Sequence, residues 1–249
     1  MMKVYEAVLS KLGTLGLRGI SQRIDEEIQE AESQKTSYTG FLNNLLDLEL
    51  NYRVEKRLQR NMIGAHFPVN KNLDEFEFGK VKGITKTEIS QLLDFIWLDN
   101  NNNVLFFGPP GLGKTHLAIG IGIGAVEKGY MVSFERMTSL IKLLKTADIQ
   151  RSSAFRLNRI MKSNLVIIDE IGYTPIEKKE ANLFFNLISE LYEKASVIIT
   201  SNKGFNEWAE MMGDQIMTTA LLDRLLHHSK LFNMNGNSYR IQNLNKEVQ

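Results

Sequence analysis

Residues 103–118 read NVLFFGPPGLGKTHLA, and the fold turns on how they are read. Val104–Phe107 is a short apolar run closed by glycine, the pattern of a buried strand. Gly108–Thr115, GPPGLGKT, then meets the full G-x-x-x-x-G-K-[ST] pattern between that strand and a helical segment. Its glycines let successive backbone N–H groups curl around phosphate oxygens where a side chain would clash. The N-terminus of the following helix adds its dipole. Lys114 is placed to reach the β- and γ-phosphates, and the Thr115 hydroxyl to help hold magnesium. The expected nucleotide-contacting set is Gly108, Pro109, Pro110, Gly111, Leu112, Gly113, Lys114, Thr115 and His116. A glycine-rich turn that merely joins strand to helix is the bland alternative, and agreement at every fixed position and both flanks argues against it.

Outward from this loop, apolar strand-like runs alternate with helical segments, the signature of an α/β fold with a mainly parallel sheet. MVSFE (131–135), LVIID (165–169), SVIIT (196–200) and KLFNMNG (230–236) complete five expected strands. Helices are expected near 114–128, 138–146, 154–163 and 178–194. Asp169 emerges at the carboxyl end of its strand, where α/β ligands gather. It is a candidate magnesium ligand, through water, and Glu170 beside it a candidate to orient or deprotonate an attacking water. Asn202 ends VIITSN (197–202). It can hydrogen-bond a γ-phosphate or its attacking water, or simply form a turn.

The first sixty-odd residues read as helical and the expected division is a helical domain at 1–66, a connector at 67–103 and an ATPase domain at 104–249. Ser21 is expected to cap one helix, with Asp25, Glu26 and Glu27 in its first turn. A longer helix should end near Gly64, and Phe76 and Phe78 should pin the connector to the next domain. The chain has 249 residues, a formal charge of +1 and no cysteine. That excludes disulfides and thiolate metal sites and fits a reducing cytoplasm. Glu6 interrupts the apolar stretch a signal peptide would need, and no apolar run is long enough to span a membrane.

Together, NVLFFGPPGLGKTHLA, LVIIDEIGYTP (165–175), TSNKGFNEW (200–208), ALLDRLLHH (220–228) and GNSYR (236–240) resemble the IstB-type helper ATPases of insertion sequences, AAA+ relatives of DnaC-type helicase loaders. FLNNLLDLELNYR (41–53) and the HFP connector (66–68) extend the resemblance over nearly the whole chain. It implies an AAA+ core of five mainly parallel strands without a C-terminal lid, since few residues follow Gly236. It also implies ATP and magnesium as ligands, self-assembly, duplex DNA and a transposase as partners, and a role in transposition. A replicative helicase loader, or a nucleotide-controlled assembly switch with little turnover, are the alternatives. Leu112 departs from the usual threonine there. Gly120, Gly122 and Gly124 suggest close helix-to-sheet packing. Arg240 is a candidate substitute for a lid arginine, or decorates a terminal strand.

Within the resemblance, Arg224 occupies the position of an arginine that enters the neighbouring subunit's nucleotide site, where a guanidinium stabilises charge on the leaving phosphate. An internal pair with Asp223 or Glu210, or a DNA phosphate contact, would be the plainer use. His227 and His228 are expected at an interface. Residues 136–162 carry Arg136, Lys142, Lys145, Arg151, Arg156, Arg159 and Lys162 against Asp148 alone. In the resembled branch this insertion grips DNA backbone, and Lys142, Lys145, Arg151, Arg156 and Arg159 are the candidates, with Arg53, Arg57 and Arg60 as a second patch. Solvated faces of amphipathic helices would also account for such charge.

Overall fold

The computed structural model describes residues 2–236 and residue 238. The chain falls into two compact units, residues 1–60 and 61–249. The first holds α1 (Met2–Thr14), α2 (Arg18–Gln34) and most of α3 (Tyr38–Ala65), whose last turn belongs with the second.

Ser21 does not cap α2, which begins earlier, at Arg18, so that Asp25, Glu26 and Glu27 stand beyond its first turn. Leu17, in the cap position, has no side-chain acceptor to offer. The carboxylate of Glu49 on α3 does the capping from outside: its Oε2 accepts from the N–H of Gly19 at 2.8 Å and of Ile20 at 3.4 Å. Arg53 Nε donates to the other oxygen at 2.7 Å. Gly19 permits this approach, since a β-carbon there would lie 2.8 Å from the Leu48 carbonyl oxygen.

The second unit opens with two 3-10 turns, Leu73–Glu75 and Phe78–Lys80, then β1 (Val81–Lys82), α4 (Lys86–Leu92) and α5 (Ile96–Asp99). Thr85 and Glu88 form a reciprocal capping box at the start of α4. Next come β2 (Asn103–Phe107), α6 (Lys114–Glu127), β3 (Val132–Arg136), α7 (Met137–Thr146), α8 (Arg151–Met161) and β4 (Leu165–Ile171). The chain continues through α9 (Lys178–Leu191), β5 (Ser196–Ser201), α10 (Phe205–Met212), α11 (Gln215–Leu226), β6 (Ser229–Asn233) and β7 (Asn235–Gly236).

β2 to β6 form one sheet in the order β3-β4-β5-β2-β6, every pairing parallel. The expected fifth strand, 230–236, is in fact two. β6 leaves the sheet after Asn233, Met234 N–H donates to the Phe107 carbonyl at 2.8 Å, and Asn235–Gly236 pairs antiparallel with β1. Helices cover the sheet, and Leu105, Val166, Ile167, Ile168 and Ile198 are fully buried, each worth about 1.5–3 kcal/mol of apolar burial. From β2 the chain crosses to the edge strand β3 and returns through β4 and β5, so the carboxyl ends of β4, β5 and β2 lie side by side where open α/β sheets place ligands. Of the three helix glycines, Gly122 packs on the sheet against Ile167, whereas Gly120 faces Leu73 of the connector and Gly124 faces Phe95. Arg240 and the segment where a lid would follow lie outside the described residues. Among the described residues no helix is long and apolar enough to cross a membrane.

Candidate nucleotide-binding site

The loop after β2 wraps a cavity of about 530 Å³ lined by Pro110, Gly111, Gly113, Lys114, Thr115, Asp169, Glu170 and Asn202. Gly108, Gly111 and Gly113 all have positive φ, the left-handed region that a side chain disfavours. Leu112 turns the other way and is fully buried, so it anchors the loop rather than lining the cavity. Lys114 Nζ donates to the Gly108 and Pro109 carbonyls at 2.6 and 2.7 Å, which holds the ammonium curled inside the loop.

Asp169, with no solvent exposure, joins two strands to the loop helix. Its Oδ1 accepts from Thr115 Oγ1 at 2.8 Å and from Thr200 Oγ1 at 2.6 Å. Its Oδ2 is buried and has no hydrogen-bond partner among the described residues, a costly state for a carboxylate oxygen that a bound cation or its water would relieve. Asn202 Oδ1, at the same cavity, is a second buried oxygen without a partner among the described residues. The sequence does not mark out Thr200: it is one of three hydroxyl residues in β5, and only the pairing of β4 with β5 shows that its hydroxyl meets Asp169.

Glu170 is re-aimed by an irregularity in the β4–β5 register between Ile168 and Ile171. Its φ is +64°, an unusual conformation for a residue with a β-carbon, and its N–H is held by Thr200 Oγ1 at 3.0 Å. Its carboxylate stands 3.8 Å from the guanidinium of Arg136, at the end of β3. Arg136 therefore faces the nucleotide cavity, where the sequence suggested only general basic charge.

The connector supplies the opposite wall through Pro68, Val69, Glu75, Phe76 and Glu77. Phe76 stacks edge-on with Phe78 and with His116, as expected of a pin, and a β-carbon on Gly113 would lie 2.6 Å from its ring. His116 Nε2 bonds the Asn72 carbonyl oxygen at 2.6 Å.

A family model for IstB-like ATP binding proteins matches residues 10–247. This chain belongs to the IstB-like family. The ATP-binding protein of insertion sequence IS21 from Pseudomonas aeruginosa is 38% identical over 98% of this chain and 91% of its own length. That of IS232 from Bacillus thuringiensis subsp. berliner is 36% identical, covering 97% of each chain. Among solved structures, the DnaI crystal structure superposes with a TM-score of 0.55 at 15% identity over 67% of this chain and 92% of its own. The DnaC helicase loader gives 0.51 at 20% identity over 60% and 87%. These two likenesses are of fold alone: the IstB-like core shares the α/β architecture of those proteins.

Arg224 lies far from its own chain's nucleotide cavity. It precedes β6, which runs parallel to β2 with Asn103 opposite Ser229, whereas the phosphate-binding loop follows Phe107 at the other end. Five residues of strand put roughly 16 Å between those ends. The guanidinium has no acidic partner among the described residues. Nη1 bonds the Ala220 carbonyl oxygen at 2.8 Å, and the group rests over the Phe185 ring at 5.0 Å. His227 and His228 stand side by side and exposed, His227 Nδ1 within 3.0 Å of the Tyr192 hydroxyl.

The basic insertion of the IstB-like chain is smaller than its sequence suggests. Arg156 is not a surface contact: it is buried, paired with Glu135 at 2.5 Å, and donates to the Gly64, Ala65 and Phe134 carbonyls. Arg159 is likewise turned inward onto the Gly64 and Asn61 carbonyls. Together they cap the end of α3, whose last carbonyls would otherwise be unsatisfied. Lys145 pairs with Glu180 at 2.8 Å. Lys142, Arg151 and Lys162 remain exposed. In the first unit Arg57 and Arg60 are exposed, and Arg53 is tied to Glu49.

Proposed function

We propose that this protein is an ATPase that assembles on duplex DNA in its ATP state, recruits or activates a transposase, and is remodelled by hydrolysis. One observation carries the chemical part: two buried oxygens without partners among the described residues, Asp169 Oδ2 and Asn202 Oδ1, flank a glycine loop that holds an ammonium. Such groups suit a nucleotide's γ-phosphate, its cation and its attacking water. Thr115 and Asp169 would hold magnesium, which when bound supplies neutralisation of phosphate charge. Lys114 would exchange its loop carbonyls for phosphate oxygens. Glu170 would orient or deprotonate the attacking water, and Asn202 would hydrogen-bond that water or the γ-phosphate. Arg224, out of reach of its own site and without an acidic partner among the described residues, would complete the site of a neighbouring subunit.

The biological part is supported by relatives named for insertion sequences that match along 97–98% of the chain, whereas the helicase-loader likeness covers 60% of it. The remaining exposed cations favour contacts to phosphates over base readout.

The test is ATPase rate against protein concentration, with and without plasmid duplex, for wild type, Arg224→Ala and mixtures. Wild type should turn over faster with concentration and with DNA. Arg224→Ala should bind ATP yet hydrolyse slowly until mixed with Glu170→Gln subunits, which lack the carboxylate but lend their arginine. Normal turnover by Arg224→Ala at every concentration would sink the shared-site mechanism.

A further inference from the structure

The outward face of α8 is unlike the rest of the insertion. Ser153, Arg156, Leu157 and Ile160 point inward: Ser153 Oγ meets Thr146 Oγ1 of α7 at 2.8 Å, Arg156 and Ile160 are buried, and Leu157 packs on the core. Helical spacing therefore turns Arg151, Phe155, Asn158 and, just past the helix, Lys162 the other way, and all four are exposed. Phe155 is 76% exposed between two cations, and Ile149, in the turn leading into α8, is 84% exposed. Asp148 precedes Ile149, and no further acid follows until Asp169.

An exposed phenyl ring on a cationic face calls for a partner that is anionic outside and apolar within. We infer that this face is a base-contacting surface for duplex DNA, in which Phe155 wedges into a base step while Arg151 and Lys162 hold flanking phosphates. The inference rests on the DNA-binding reading above and goes beyond backbone contact. The two cations stand about 16 Å apart along the helix with the ring between them, enough to bridge a groove roughly 6–12 Å wide. Apolar side chains inserted at base steps unstack and kink duplexes, and their contribution is separable from counterion release, which only the cations provide. Ile149 extends the apolar edge.

The full chain, loaded with a non-hydrolysable ATP analogue, is titrated onto a duplex carrying fluorescent aminopurine and dyes at its ends. Wild type should raise aminopurine fluorescence and bring the ends closer. Phe155→Ala should abolish both and bind about tenfold more weakly, as loss of one stacked base predicts, with the salt dependence unchanged. Arg151→Ala should instead reduce the salt slope by about one phosphate contact, and Phe155→Trp should restore unstacking. A Phe155→Ala protein that still unstacks and bends DNA overturns the wedge. So does one that loses self-association without DNA, because the ring would then face another subunit. If wild type fails to bind duplex at all, the DNA-binding reading fails first and the wedge with it.

Discussion

Asp169 shows how one side chain can be structural and poised at once. One oxygen is satisfied by Thr115 and Thr200, which fixes the carboxylate, while the other is buried with no partner among the described residues. Thr200 does two jobs there, since it also accepts from the N–H of Glu170 in its left-handed conformation. Thr200→Val keeps shape but removes both hydrogen bonds. Losing them should lower kcat roughly ten- to a hundredfold, with ATP affinity changed only a few-fold, as expected when positioning rather than binding is lost. Steady-state kinetics alongside equilibrium ATP binding would decide it, and an unchanged kcat would reduce Thr200 to a packing residue.

At the scale of elements, helix ends are satisfied by side chains from other helices. Arg156 and Arg159 of α8 cap the end of α3, and Glu49 of α3 caps the start of α2. Burial raises the Glu49 pKa, but hydrogen bonds from Arg53, Ile20 and Gly19 outweigh it and hold the carboxyl below its ordinary value of 4.5. A lowered folded pKa means the stabilisation is complete above the unfolded value and is lost as pH falls through the folded one. Glu49→Ala should therefore destabilise the first unit by roughly 1–3 kcal/mol at neutral pH, by leaving two amides uncapped. The gap to wild type should close in acid. Urea unfolding of both proteins across that range tests it, and a gap independent of pH would mean lost packing, not lost charge.

At the scale of the molecule, a nucleotide site built wholly within residues 61–249 should stabilise that unit by mass action. At a hundred times its Kd, ATP with magnesium should add about 2.7 kcal/mol. Lys114→Ala should lose the shift, while Arg224→Ala should keep it, because Arg224 sits at the opposite end of β2. Thermal scans of the three proteins measure this directly. A shift abolished by Arg224→Ala would place that residue in nucleotide binding itself.

The sequence by itself determined the parts whose chemistry is local. A phosphate loop needs glycine, lysine and threonine at fixed spacing, and Asp169, Glu170 and Asn202 stand at ends of apolar runs whose length and flanks mark them as strands. Only the tertiary structure decided what depends on partners distant in the chain. It showed that Thr200 meets Asp169 across paired strands, that Arg136 faces Glu170, and that α2 borrows a cap from α3 in place of Ser21. It also showed that the segment after Asn233 leaves the sheet for β1. Charge was the least legible property, because Arg156 and Lys162 look alike in the sequence. One is buried against Glu135 and the other exposed, since burial is set by which face of a helix meets the core and by which acid waits there.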